Sequence, residues 1–77
     1  MKRKFKLEWI NVPGVKPGYN EIWSQDDIKY DFGLDKAIMD FTKKSKKGKS
    51  YIVFDHAGTG FLIITRISNN SIIKIQK

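Results

Sequence analysis

The sequence predicts a small α+β fold, an antiparallel sheet of four to five strands with one packed helix. Apolar and charged residues alternate near the N-terminus, as in a half-buried strand. The middle of the chain has helical apolar spacing and ends in lysines followed by glycine. Apolar runs separated by turn-forming residues fill the C-terminal third. The predicted order is β-(β)-α-β-β-β, ending in a three-stranded meander.

The first strand is predicted at residues 3–10, where Phe5, Leu7 and Trp9 alternate with charged residues. One side of this strand should be buried and the other wet and basic. Residues 11–20 contain both prolines and two Pro-Gly pairs, which favour turns. Since this segment also carries apolar residues, we expect an ordered loop and not a flexible linker.

The segment before the main helix is ambiguous. Ser24 and Asp27 have the spacing of a capping box, which indicates a helix start. The alternation of apolar residues from Ile28 onwards is instead typical of a strand. We expect a short strand at 27–32, or one helical turn in its place, broken at Gly33.

The main helix is predicted at residues 34–47. Leu34, Ala37, Ile38 and Phe41 fall on one face at helical spacing. Lysines fill the last turns, where positive charge complements the helix dipole, and Gly48 is predicted to supply a left-handed cap.

Three strands are predicted at 50–55, 61–67 and 71–76. Asn69-Asn70 fits a two-residue type I′ turn, because Asn tolerates positive φ. The hairpin would pair Ile67 with Ile72 and Ile64 with Ile75.

The predicted register gives this sheet two apolar faces. The face expected under the helix carries Tyr51, Val53, Leu62, Ile64, Ile73 and Ile75, and the other carries Ile52, Phe54, Phe61 and Ile63. The second face needs a cover. We expect residues 11–24 to fold over it and bury Trp23 in a monomer. The less favoured alternative is that the face stays open as an interface for a dimer or a partner.

Fifteen Lys and Arg against eight Asp and Glu give a net charge of +7, typical of proteins that bind polyanions. Residues 1–19 carry five basic groups and one acid (+4), residues 20–40 two and six (−4), and residues 41–77 eight and one (+7). The 13 Lys against 2 Arg also fit an AT-rich genome, which would make part of the charge compositional.

Two lysine clusters are the candidate nucleic-acid-binding residues, because several closely spaced lysines can contact successive phosphates. The alternative for the lysines of residues 43–49 is that they are solvent-exposed charges at the end of the helix, without a binding role. Tyr19, Tyr30 and Phe61 are aromatic residues that could stack on bases nearby. The candidate lysines are Lys43, Lys44, Lys46, Lys47 and Lys49, together with Lys2, Lys4 and Lys6.

The glycine-rich loop at 55–60 contains the only histidine, His56. His56 could act as the general acid or base of a small ribonuclease, with Asp55 orienting it and Arg66 or a lysine stabilising the phosphorane. Adjacent strand residues point to opposite faces, however, so Asp55 is poorly placed to orient His56. The loop also lacks the Lys-Ser/Thr of a Walker sequence. We expect no catalytic residue, and no cofactor.

The aspartates of residues 26–40 fit no calcium loop, so we expect no metal site. They could instead dock on a basic partner protein. The candidate partner-binding residues are Asp26, Asp27, Asp31, Tyr30 and Phe61.

Together these observations predict one domain over residues 1–77, without disulfides or a membrane span, in the cytoplasm. The favoured function is a small non-enzymatic protein that binds DNA or RNA. The second is a phage or mobile-element protein that inhibits or modulates a host macromolecule by protein binding. The third is a small ribonuclease toxin.

Overall fold

The computed structural model describes residues 3–54 and 59–69. It contains one antiparallel sheet in the order β2-β1-β4-β3 and two helices, which confirms the predicted α+β class. The elements in chain order are β1 (Lys4–Ile10), β2 (Asn20–Ser24), α1 (Gln25–Phe32), α2 (Lys36–Lys44), β3 (Ser50–Phe54) and β4 (Phe61–Ile67).

The core lies between one face of the sheet and the two helices. Leu7 of β1 stands opposite Ile64 of β4, and both side chains are fully buried. Burial alternates along both strands, so the intervening side chains lie on the other face. The buried apolar residues are Phe5, Leu7, Ile28, Ile38, Leu62 and Ile64.

A helix of eight residues, α1, forms where a short strand or one helical turn was expected at 27–32. The strand is wrong, and the helical alternative is closer, although α1 is longer than one turn. The Ser24 hydroxyl accepts a hydrogen bond from the Asp27 N–H at 3.3 Å, and the Asp27 carboxylate accepts one from the Ser24 N–H at 3.0 Å. This capping box satisfies two backbone donors at the helix start. Ile28 and Phe32 lie one turn apart and pack towards the core, whereas Tyr30 is 91% exposed.

The second helix, α2, is shorter than the predicted 34–47. Asp35 caps it by accepting a hydrogen bond from the Ile38 N–H at 3.2 Å. Leu34, which was expected on the buried face, therefore precedes the helix and is exposed. The helix ends at Ser45 in extended conformation, so Gly48 is not its cap.

Residues 20–24 form the edge strand β2 and do not cover the second sheet face as predicted. Trp23 stands opposite Phe5 on β1 and so lies on the face that the helices cover. There it packs against Trp9 and Phe32, with ring centroids 6.1 and 6.3 Å away. The alternation of residues 19–23 explains this placement, because a strand sends every second side chain to the same side.

The pairing predicted for Ile64 is also wrong, since Ile64 stands between Leu7 of β1 and Tyr51 of β3. Ile67 stands opposite Lys4, and Ile64 opposite Leu7. The strand expected at 71–76, with Ile72, Ile73 and Ile75, lies outside the described residues. For β3 and β4 the predicted division into two faces is confirmed, because Ile52 stands opposite Ile63 and Val53 opposite Leu62.

Candidate nucleic-acid interface

The lysine-rich segment after α2 is held against the sheet by backbone hydrogen bonds. The Gly48 N–H donates to the Arg66 carbonyl at 2.8 Å, and the Arg66 N–H donates to the Lys49 carbonyl at 2.8 Å. A turn closed by the Lys49 N–H and the Lys46 carbonyl, 3.0 Å apart, precedes this contact. Gly48 has φ of +91°, a conformation that favours glycine. The lysines are therefore presented by an anchored turn.

The start of the N-terminal strand lies next to the lysine-rich segment. The Arg3 guanidinium donates a hydrogen bond to the Ser45 carbonyl at the end of α2, at 2.6 Å. Across the sheet, Lys6 stands opposite Thr65, which stands opposite Ser50. Two strand spacings separate Lys6 from Ser50, about 10 Å. The two lysine clusters thus adjoin.

We call this surface the basic end. It combines residues 3–6 at the N-terminus with the lysine-rich residues 43–49. The lysines of residues 43–49 are exposed, whereas Lys4 and Lys6 on β1 are half-buried. Lys2 lies outside the described residues. The members are Arg3, Lys4, Lys6, Lys43, Lys44, Lys46, Lys47 and Lys49.

A shallow depression of about 480 Å³ opens on the basic end beside the first residue of β3. Ser45 lines it, and the Ser45 hydroxyl is buried without a hydrogen-bond partner among the described residues. Asp40 contributes the carboxylate of this lining, one helical turn before Lys44. The other lining residues are Phe41, Lys46, Lys49 and Ser50.

Arg66 lies under the basic end and has a structural role. Its guanidinium sits 5.7 Å from the centre of the Phe5 ring and donates hydrogen bonds to Asn69, at 2.6 Å, and to the Ile67 carbonyl. Burial, followed by repulsion from Arg3, lowers the pKa of Arg66. A side chain engaged in this way packs the sheet end and is not presented to a ligand.

The ribonuclease hypothesis had Arg66 or a lysine assist a reaction at the glycine-rich loop. Asp55 and His56 lie outside the described residues, but β4 separates Arg66 from Gly60 by most of its length. The five residue steps from Phe61 to Arg66 span about 17 Å of strand. Arg66 therefore lies near the opposite end of β4 from Gly60, the last residue of that loop.

The candidate partner-binding residues fall on two separate surfaces. Asp26, Asp27 and Asp31 lie with Tyr30 on α1, whereas Phe61 lies on the sheet face away from the helices. Asp27 also belongs to the capping box and so has a structural role. In the described ranges, no three His, Cys, Asp or Glu side chains are grouped as a metal site would require.

An aromatic cluster around Glu21 was not expected from the sequence. The Trp23 indole N–H donates to one Glu21 carboxylate oxygen at 2.8 Å, and the Tyr19 hydroxyl donates to the other. Trp9 packs on Tyr19 with ring centroids 5.4 Å apart. The alternation of Tyr19, Glu21 and Trp23 was the available signal. This cluster fixes the edge strand β2 to β1.

Replacing Tyr19 by Phe tests this cluster. The hydrogen bond to Glu21, then burial and the Glu21 charge, raise the pKa of Tyr19 above its usual 10.0. The folded state holds this proton more tightly than the unfolded chain, so the stabilisation is present below about pH 10 and is lost as pH rises through the raised pKa. We expect Tyr19→Phe to lower the free energy of unfolding at neutral pH. The variant should also lose less stability than the unmodified protein as the pH rises above about 10. Urea unfolding at several pH values measures both effects, and Tyr30→Phe, at an exposed site, should change neither.

No protein-family description, curated protein or solved structure matches this chain. No helix in the described part of the chain is long and apolar enough to cross a membrane.

Proposed function

We propose that this protein binds nucleic acid through the basic end, without catalysing a reaction. The observation that carries the proposal is the hydrogen bond from Arg3 to the Ser45 carbonyl, between residues 42 positions apart in sequence. It joins the basic N-terminal strand to the lysine-rich turn. Eight cationic side chains from two distant segments thereby share one end of the molecule.

The chemistry of this surface suits a phosphate backbone. Lysine ammonium groups neutralise phosphates and release the counterions condensed on the nucleic acid, which makes binding strongly dependent on salt. The anchored turn also reduces the conformational entropy lost on binding, because its backbone is already ordered. A cytoplasmic location, where such ligands are available, is part of the same proposal.

Direct binding measurements on the unmodified protein test the proposal. We expect fluorescein-labelled DNA and RNA to bind, with the logarithm of the association constant falling linearly with the logarithm of salt between about 50 and 200 mM. Absence of binding at the low-salt limit would contradict the proposal. Degradation of the RNA during the titration would instead support the ribonuclease alternative.

A second candidate function is docking on another protein through the tip formed by α1 and the residues after it. Tyr30 is 91% exposed and Leu34 is fully exposed, which is unusual for large apolar side chains. Asp31 lies between them in sequence. An acidic and apolar tip of this kind suits a partner with a basic, partly apolar surface, as an inhibitor or modulator of a host macromolecule would require. Capture of a partner by the unmodified protein, lost in Tyr30→Ala, would favour this alternative.

A further inference from the structure

The sheet face opposite the helices presents aromatic and basic side chains together. Both helices of the described part pack on the other face, where the core lies. On the open face, Phe54 is 68% exposed and Ile52 is 46% exposed. The Phe54 and Phe61 rings are in contact, with centroids 6.2 Å apart. In the described part of the chain, this face therefore exposes large apolar side chains.

Strand register orders the side chains along this face. Lys4 and Lys6 alternate with the buried residues of β1 and therefore point to the open side. Ile10 is four residue steps along β1 from Lys6, so the basic and aromatic rows are about 13 Å apart. From the basic end outwards, the cross-strand rows are Lys6 with Thr65 and Ser50, Glu8 with Ile63 and Ile52, and Ile10 with Phe61 and Phe54.

We propose that this open face binds single-stranded nucleic acid, with bases stacked on Phe54 and Phe61 and phosphates at Lys4 and Lys6. The inference rests on the proposed function and specifies its ligand. Stacking on an exposed ring requires an unpaired base, because both faces of a base in a duplex are covered by its neighbours. A strand running from the basic row to the aromatic row would combine phosphate contacts at one end with stacking at the other.

Charge favours this ligand over a second copy of the chain. Lys4 and Lys6 contribute two positive charges to the face, and Glu8 is the carboxylate that the four strands place there. Two such faces pressed together would bring net positive charges into contact, which costs free energy. A polyanion meets the same charges favourably.

The test compares two exposed aromatic residues. Phe54→Ala removes the proposed stacking ring, and Tyr30→Ala removes a ring of similar size on α1, away from this face. We expect Phe54→Ala to bind an oligothymidylate of about ten nucleotides about 5- to 100-fold more weakly, and Tyr30→Ala to bind it unchanged. Affinity for a duplex of equal length should change little in either variant. Glu8→Gln should tighten binding of the single strand.

The outcomes separate this inference from the proposed function. Equal single-strand affinity for Phe54→Ala and Tyr30→Ala would overturn the open-face site, whereas loss of binding in basic-end variants would still support the proposed function. Failure of the unmodified protein to bind any nucleic acid would overturn both. Sedimentation showing a dimer that Phe54→Ala dissociates would assign the face to a second copy and reject the inference. Should Phe54→Ala unfold, Phe54→Leu removes the ring while keeping apolar bulk, and weaker binding is again expected.

Discussion

Replacement of Lys43, Lys44 and Lys47 by Gln is expected to weaken binding of a single strand about 100-fold at about 0.1 M salt. Each phosphate contact contributes about 0.7 to the slope of log affinity against log salt on single strands, so three lost contacts reduce it by about 2. On duplex DNA the corresponding reduction is about 2.7, from about 0.9 per contact. Fluorescence anisotropy at several salt concentrations measures both quantities.

A charge-matched variant controls for the overall charge of the protein. Lys16, Lys29 and Lys36 are exposed and lie outside the basic end, in the loop before β2, in α1 and at the start of α2. Replacing these three by Gln lowers the net charge from +7 to +4, as the basic-end substitutions do. We expect it to weaken binding much less. Equal losses in the two variants would show that total charge, and not the basic end, governs binding.

Ile64→Ala is expected to destabilise the fold by about 2–5 kcal/mol, the range observed when a large buried aliphatic side chain is truncated. Ile64 is fully buried opposite Leu7 in the centre of the sheet. For a domain of 77 residues the total stability is about 4–12 kcal/mol, so this loss removes a large part of it.

Ile52→Ala provides the matched control for this core substitution. Ile52 belongs to the neighbouring strand, but its side chain is 46% exposed on the open face. We expect a loss of about 1 kcal/mol or less, because the removed methyl groups leave no cavity. Urea unfolding of the two variants measures the difference. Similar losses would mean that the two faces of the sheet are wrongly assigned.

Local patterns predicted several elements correctly. β1 follows from strict alternation of apolar and charged residues, which fixes both the strand and its buried side. The division of the β3 and β4 side chains between two faces follows from the two-residue period of a strand. The alternation of Ile28, Tyr30 and Phe32 was misleading, because a capping box at Ser24 stabilised a helix in which the first and third of these residues share a face. A pattern of only three apolar residues fits both the two-residue period of a strand and the 3.6-residue period of a helix.

Strand order was harder to predict than the strands themselves. A hairpin of β4 with the segment after it, turning at Asn69-Asn70, would be a local pairing. Closing so short a loop costs little conformational entropy. The structure instead places β1 beside β4, with Leu7 opposite Ile64. This long-range pairing brings the alternating strand β1 and the largely apolar strand β4 together in the centre of the sheet. No local spacing in the sequence encodes it.

The lysines of the candidate site were identified from the sequence, but their grouping was not. Runs of like charge are visible directly, whereas the contact between Arg3 and the end of α2 depends on the strand order. The same order places Tyr30 and Phe61 on different surfaces, although both were candidates for one role. The sequence therefore identifies the candidate residues, but which of them lie close together depends on long-range packing.

Chemical-shift mapping of the ¹⁵N-labelled protein with a short oligothymidylate tests the central claim most directly. The account predicts that the largest amide shift changes occur at residues 3–6, 43–50 and 65–67, which adjoin in the structure although they are distant in sequence. With the open-face site, changes should extend to Phe54 and Phe61. Changes confined to residues 29–36, or scattered equally over all lysines, would contradict the account.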